Sequence, residues 1–183
     1  MAVADLPHPL EVTGGRGETS TRVLHRFEEH RRDGVGAFAF DGSHAGYLEY
    51  EADDVSVRGV LAPTEVQIAR ATATAYGANV RLHDSTMTID APYAFRFRGA
   101  AAGVDLRQMP ASAPVPHVSS TLAFEYDVTG RFAEPYLTGR AAFSDSEFLG
   151  ATLAAGATGS IDTQVDPFHY AGEGILTNVD LNR

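Results

Sequence analysis

The chain repeats one fifteen-residue pattern, and this repeat limits what it can fold into more than any other feature. Pro92 opens the first copy and Pro167 opens the second, 75 positions later. Units that recur at a fixed spacing along a chain are typical of arrays that build surfaces rather than one catalytic centre. The matching residues after each proline are Tyr93, Phe95, Gly99 and Val104-Asp105-Leu106 in the first copy, and Phe168, Tyr170, Gly174 and Val179-Asp180-Leu181 in the second.

Composition changes along the chain and predicts four segments. One short helix is predicted in the first of them, beginning near Ser20 or Thr21, running to about Asp33 and closed by Gly34. The segments are an N-terminal extension (1–35), a first β repeat unit (36–107), a Pro-rich linker (108–117) and a second β repeat unit (118–183).

From Gly36 onward, short runs alternate apolar and polar residues, which is the pattern of β-strands with one buried face. The run that contains Leu122, Phe124 and Tyr126 shows the alternation most clearly. Glycine, Asp-Gly and proline signals separate the runs. Strands do not alternate with long helices, which argues against a doubly wound α/β fold. The sequence therefore predicts a mainly β chain with an antiparallel sheet and one apolar face.

Charge and residue counts exclude several classes of function. A formal net charge of -10 argues against nucleic acid as a partner, because phosphate contacts need clustered cations. The absence of cysteine removes thiolate metal sites and disulfides, and the spacing of the seven histidines does not favour a shared metal. We therefore predict no metal and no cofactor. Residues 1–10 lack the pattern of a signal peptide, and no apolar run is long enough to span a bilayer.

Four aspartates recur with the repeat and are the candidates for acid–base chemistry. Asp90 matches Asp162, and Asp105 matches Asp180. Paired carboxylates are the machinery of glycoside hydrolysis. A residue that recurs once per unit is, however, more simply explained as a turn or cap residue. The sequence therefore favours a protein that is not an enzyme, and a glycan-cleaving enzyme is the least favoured alternative.

The apolar face of the predicted sheet is the main candidate for a binding surface. Two interpretations stay open for it: a core closed by a second β layer, as in a β-sandwich, or by the predicted helix, and a groove left open for acyl chains. Little helix is available to cover such a face, which keeps the open groove as a hypothesis. The candidate residues are Tyr93, Phe95, Phe97, Leu122, Phe124, Tyr126, Phe143, Phe148, Phe168 and Tyr170.

Short motifs in the repeated unit resemble the AsmA-like group, to which the TamB-type envelope proteins belong. The alanine-rich run of residues 71–75 leads into Tyr76-Gly77, Thr129-Gly130 enters the next strand, and Gly99 with Val104-Asp105-Leu106 resembles the strand that closes each unit. The resemblance implies a long, twisted antiparallel sheet curled into an open, solenoid-like trough (a β-taco) with an apolar interior. It also implies non-enzymatic transfer of phospholipids between bacterial membranes, with acyl chains as ligand and the periplasm or cell envelope as location.

The expected partners follow from the apolar face of the sheet and from the family resemblance. Lipid acyl chains are the ligand of the leading hypothesis, and a protein- or carbohydrate-binding β-sandwich module is its alternative. The sequence shows neither the membrane anchor nor the outer-membrane module of the group that it resembles, so we expect an internal fragment or a short stand-alone member. Because no signal peptide is recognised, a cytoplasmic location is the alternative to the envelope. Open sheet edges favour end-to-end self-association, or continuation of the sheet in a longer protein.

Overall fold

A computed structural model of the chain describes residues 36–47, 50–111, 113, 115–133, 136–165 and 167–179. The predicted helix that ends near Asp33 lies outside these residues. Twelve strands and one short 3-10 helix, Leu106–Gln108, make up the regular structure of the described part. The strands are β1 Gly36–Tyr47, β2 Tyr50–Leu61, β3 Glu65–Ala75, β4 Ala78–Thr88, β5 Ala94–Val104, β6 Ser120–Arg131, β7 Tyr136–Phe143, β8 Ser146–Phe148, β9 Ala151–Leu153, β10 Thr158–Asp162, β11 His169–Glu173 and β12 Leu176–Thr177.

The strands form one open antiparallel sheet. Its main path runs β1-β2-β3-β4-β5-β6-β7-β10-β11, and a small branch of β8, β9 and β12 leaves it at the start of β6. The predicted mainly β, antiparallel architecture is confirmed. The described strands do not form the alternative closed sandwich, because all twelve belong to one open sheet whose end strands, β1 and β11, do not pair with each other.

Two tight turns lie where the sequence places a glycine before a buried alanine. Tyr76 and Gly77, between β3 and β4, both have positive φ, at 50° and 75°. Leu149 and Gly150, between β8 and β9, have φ of 53° and 80°. Positive φ at both central residues defines the two-residue turn whose twist matches that of the flanking strands. Each turn therefore starts the next strand in a fixed register, Ala75 opposite Ala78 in the first case.

The repeated pattern begins a strand at the same point in both copies and then diverges. β5 starts at Ala94 and β11 at His169, 75 positions apart. β5 continues for 11 residues, whereas β11 has 5 residues and ends at Glu173, next to the glycine that matches Gly99. The chain then crosses to the small branch, where β12 pairs with β9. The second copy therefore ends in the branch rather than in a long central strand.

Small residues make up most of the fully buried core. Ala78, Ala101, Val104 and Leu122 form one cluster across β4, β5 and β6. Leu106 of the 3-10 helix and Phe148 of β8 pack against it, so the helix and the branch cover this end of the apolar face. The alanines let the covering elements approach the sheet closely.

Three buried serines lie where the ladder of backbone hydrogen bonds is interrupted. The Ser85 hydroxyl accepts from the Arg98 amide at 2.9 Å, beside an irregularity in the β4–β5 register. The Ser120 hydroxyl accepts from the Leu106 amide at 2.9 Å, and that of Ser146 accepts from a β6 amide at 3.0 Å. Buried amides without a partner are costly, so each hydroxyl replaces a missing backbone acceptor.

Candidate functional site

The register of the strands puts most of the ten candidate residues on one face of the sheet. Phe95 and Phe97 project from β5, and Phe124 lies directly opposite Phe143 across the β6–β7 pair. The rings of Phe124 and Phe143 have centroids 5.4 Å apart. Tyr93 precedes β5 in a turn with φ of 54°, and Phe168 precedes the edge strand β11. The predicted shared face therefore exists, with two candidates at its margin.

Half of the candidates belong to the covered end of that face. Leu122 is 6% exposed and lies in the core cluster itself. Four further candidates pack against that cluster, so this end of the face is a closed core. They are Phe124, Tyr126, Phe143 and Phe148.

The other end of the apolar face carries a second group of aromatic rings. Phe95 stacks on Phe97 with centroids 4.6 Å apart, and Phe132 packs on Phe95 at 4.8 Å. Phe132 is 38% exposed and the two β5 rings are partly exposed. None of the three belongs to the buried core cluster of the described residues.

An apolar stripe runs from these rings to the edge of the sheet, at right angles to the strands. We define it by residues that face one another across successive strand pairs, beginning at Phe97 on β5 and ending at Tyr170 on β11. Tyr170 is 50% exposed at the sheet edge. Because cross-strand neighbours share a face, the residues of the stripe form one continuous surface, in which the Val128 side chain lies over the backbone of Gly139. The stripe consists of Phe97, Val128, Gly139, Ile161 and Tyr170.

Aromatic rings on this face lie over glycines of the neighbouring strand. Phe38 faces Gly59 and Phe95 faces Gly130 in the strand register. A Cβ atom built on Gly59 would lie 2.8 Å from the Phe38 ring, and one on Gly130 would lie 2.5 Å from the Phe95 ring. The rings therefore cover the backbone of the adjacent strand, a known way to stabilise glycine in a sheet.

Tyr126 has a structural rather than a reactive environment. Its hydroxyl donates to the Arg81 carbonyl at 3.3 Å, and a Cβ atom on the opposite Gly99 would lie 2.9 Å from that hydroxyl. Burial raises the pKa of Tyr126 to about 12, because the charged phenolate would be poorly solvated there. The phenol therefore stays protonated at neutral pH and acts as a fixed donor.

Two arginines of β5 on the opposite face, Arg96 and Arg98, are ion-paired. Arg96 donates to both carboxylate oxygens of Asp127, at 2.9 and 2.6 Å, and Arg98 approaches the same carboxylate at 3.4 Å. The hydrogen bonds from Arg96 lower the pKa of Asp127 and raise that of the guanidinium. All three side chains are more than a third exposed, so the pairs add little to stability.

A cavity of about 770 Å³ lies on this polar face, between β4 and β11. Two cross-strand rows line it, one containing Arg98, Asp127 and Arg140, the other Glu125 and Glu173. The row between them contains Gly99, Tyr126, Ala141, Gly159 and Gly172. The cavity therefore lies on the charged side of the sheet, opposite the face that carries the aromatic rings.

The repeated aspartates that the structure describes make local hydrogen bonds. Asp105 caps the 3-10 helix by accepting from the Arg107 amide at 3.1 Å. Asp162 accepts from the amide of Gln164 at 2.9 Å, two residues further along the chain. The backbone carbonyl of Asp90 accepts from Tyr93 in the β4–β5 turn. Asp180 lies outside the described residues. These contacts fit the turn and cap roles that their repetition indicates.

Acid should weaken the fold through Asp105. Its hydrogen bonds with Arg107 lower its pKa to about 2, below the ordinary value of 3.8. A lowered carboxyl pKa stabilises the folded state above the ordinary pKa and loses that contribution as pH falls toward the folded-state value. We expect Asp105→Asn, which can still cap, to flatten the pH dependence of urea midpoints between pH 4 and about 2. An unchanged pH dependence in Asp105→Asn would contradict this assignment.

Several residues of the apolar stripe and its ring group were not predicted as site residues. Phe132 continues the alternation of β6 by two further steps beyond Val128, so extending the period past Gly130 would have found it. Ile161 is another stripe residue that is absent from the ten candidates. Its position opposite Tyr170 depends on the β10–β11 register, which the sequence does not give.

Comparison with protein-family models, with curated proteins and with solved structures finds no match. Within the described residues, no helix has the length and apolar character needed to cross a bilayer. Function is therefore inferred from the two faces of the sheet.

Proposed function

We propose that this chain is a non-enzymatic β-sheet protein whose apolar face binds lipid acyl chains. The observation that carries the proposal is the apolar stripe from Phe97 to Tyr170, which crosses five strands and reaches an open edge. Burying an acyl chain contributes about 0.8 kcal/mol per CH2, so such a surface needs no specific polar ligand. Transfer of phospholipid within a bacterial envelope, along a trough that further strands would extend, is the wider form of this proposal.

The polar concavity supports a second candidate, a protein- or carbohydrate-binding module. Its rows of charged side chains, with the hydroxyls of Thr158 and Ser160, offer hydrogen-bond partners for a polar ligand. The two candidates use opposite faces of the same strands. A substitution on one face of β10 therefore tests one candidate, and a substitution at the next residue tests the other.

The decisive variants are Ile161→Glu on the apolar stripe and Ser160→Glu, its matched control on the polar face. Purified full chain is extracted gently for mass spectrometry of bound lipid and titrated with a fluorescent fatty acid. We expect copurified phospholipid, and binding weakened at least about tenfold by Ile161→Glu, because a carboxylate is costly against acyl chains. Ser160→Glu should bind as the unchanged chain does.

Three results would contradict lipid binding: absence of lipid from gently extracted protein, no response to the fluorescent fatty acid, or equal binding by both variants. Circular dichroism must show the same β content in both variants, so that a folding defect is not read as loss of binding. If Ser160→Glu alone abolishes capture of a glycan or peptide ligand, the polar-face module is the better description.

A further inference from the structure

The edge strand β11 has a sequence that is complementary to itself in antiparallel pairing. It reads His169-Tyr170-Ala171-Gly172-Glu173, and all five residues are exposed. Among the described residues it pairs on one side only, with β10. The outer side of an edge strand presents backbone donors and acceptors that can pair with another strand. The strand contains no proline, and its register with β10 shows no irregularity that would blunt the edge.

Two copies of β11 placed antiparallel about Ala171 match residue by residue. His169 of one copy lies opposite Glu173 of the other, and Tyr170 lies opposite Gly172. The His–Glu pairs are complementary in charge when the histidine is protonated, and they hydrogen-bond when it is neutral. The Tyr–Gly pairs repeat the arrangement that the sheet already uses where Phe38 faces Gly59 and Phe95 faces Gly130.

The direction of the strands selects this pairing over a head-to-tail one. Every neighbouring pair on the path from β1 to β11 is antiparallel, and nine strands lie on that path. The first and last strands therefore run in the same direction. Joining β11 of one copy to β1 of another would give a parallel pair, which is slightly less stable per residue than the antiparallel pair that β11 makes with itself.

We propose that two copies of this chain associate through β11, in antiparallel register about Ala171, and so form one continuous sheet. The two-fold axis is perpendicular to the sheet, because antiparallel partners share faces. Tyr170 and Gly172 lie on the apolar face in both copies, so that face continues across the junction. The interface places the His169–Glu173 pairs on the charged face. The dimer does not depend on lipid.

A single cysteine tests the register directly, because the chain has none of its own. Residues directly opposite in an antiparallel pair have Cα atoms roughly 4.5–5.5 Å apart, within disulfide range. Ala171→Cys should therefore give a disulfide-linked dimer of the full chain under mild oxidation. Ala102→Cys, at an exposed position of central strand β5, is the control. Equal cross-linking of the two variants overturns the proposed register.

Charge reversal supplies the second test, by sedimentation or light scattering without lipid. The unchanged chain should have twice the mass of one copy, which is 19.5 kDa. Glu173→Arg should weaken association about tenfold, since each dimer loses two cross-strand pairs, and the double variant His169→Glu with Glu173→Arg should restore it. Gly172→Val should also weaken it, because the new side chain would displace the partner's Tyr170 ring. A monomer at all concentrations, or a dimer indifferent to these changes, overturns the proposal.

The monomer itself should tolerate small changes at Gly172. A Cβ atom built there meets only the Thr158 carbonyl oxygen, at 3.6 Å, which is an ordinary contact. Gly172 is not one of the described glycines that have a positive φ angle. Loss of dimer in Gly172→Val with unchanged circular dichroism is therefore an interface effect. If Gly172→Val loses β content, Glu173→Arg still tests the interface, because it changes only an exposed side chain.

Discussion

Replacing Leu122 by alanine should lower the free energy of unfolding by about 2–5 kcal/mol, the usual range for a buried leucine. Leu122 is 6% exposed and faces Val104 across the β5–β6 pair. Its other cluster neighbours, Ala78 and Ala101, are too small to move into the space that the substitution leaves. The cavity therefore persists instead of collapsing, and its cost adds to that of the lost apolar contact.

Urea denaturation followed by circular dichroism measures this effect. Leu149→Ala is the matched control, because Leu149 is 56% exposed at the β8–β9 turn and its removal leaves no cavity. That control should change the free energy of unfolding by no more than about 0.5 kcal/mol. Similar losses in the two variants would mean that the cluster around Leu122 is not the core of the sheet.

Replacing Gly99 by valine should cost about 3 kcal/mol or prevent folding, because there is no room for any side chain. A Cβ atom at Gly99 would overlap the backbone carbonyl oxygen of Arg81 on β4. It would also lie 2.9 Å from the Tyr126 hydroxyl. The carbonyl oxygen is backbone in a central strand, and the phenol packs against the core cluster. Neither group can move without disturbing the β4–β5–β6 packing.

Gly159→Ala is the control for this prediction, because Gly159 lies in the same cross-strand row as Gly99. A Cβ atom there meets the edge of the Phe143 ring at 3.2 Å, and a side chain can shift by a few tenths of an ångström. Its melting temperature should stay close to that of the unchanged chain. If Gly99→Val melts at the same temperature as Gly159→Ala, the close approach of β4 and β5 is misassigned.

The alternation in the sequence predicts which face a side chain occupies, and it does so well. Leu122, Phe124 and Tyr126 share one face, as their spacing indicates. Alternation carries no information about what covers a face. The 3-10 helix and the β8 branch cover one end of it through Leu106 and Phe148, and these contacts join positions far apart in sequence. The separation of a closed core from an exposed stripe therefore needed the structure.

The repeated pattern shows the same limit. A strand begins two residues after the proline in each copy, β5 at Ala94 and β11 at His169. The pattern does not predict that the second copy stops at Glu173 and crosses to β9, because that outcome depends on which neighbours are present. β5 has β4 and β6 on its two sides, whereas β11 has β10 alone among the described strands. A strand with one neighbour gains less from each added residue.

The order of the strands along the main path also sets how this molecule comes apart. Each strand there pairs with the strands next to it on the path and with little else, so stability accumulates along a line, as in repeat proteins. Amide hydrogen exchange should therefore be fastest in β11 and slowest in β5 and β6, beside the core cluster. Opening from the β11 end would proceed one strand at a time toward the core cluster. A second copy paired with β11 would slow this opening and protect the β11 amides from exchange.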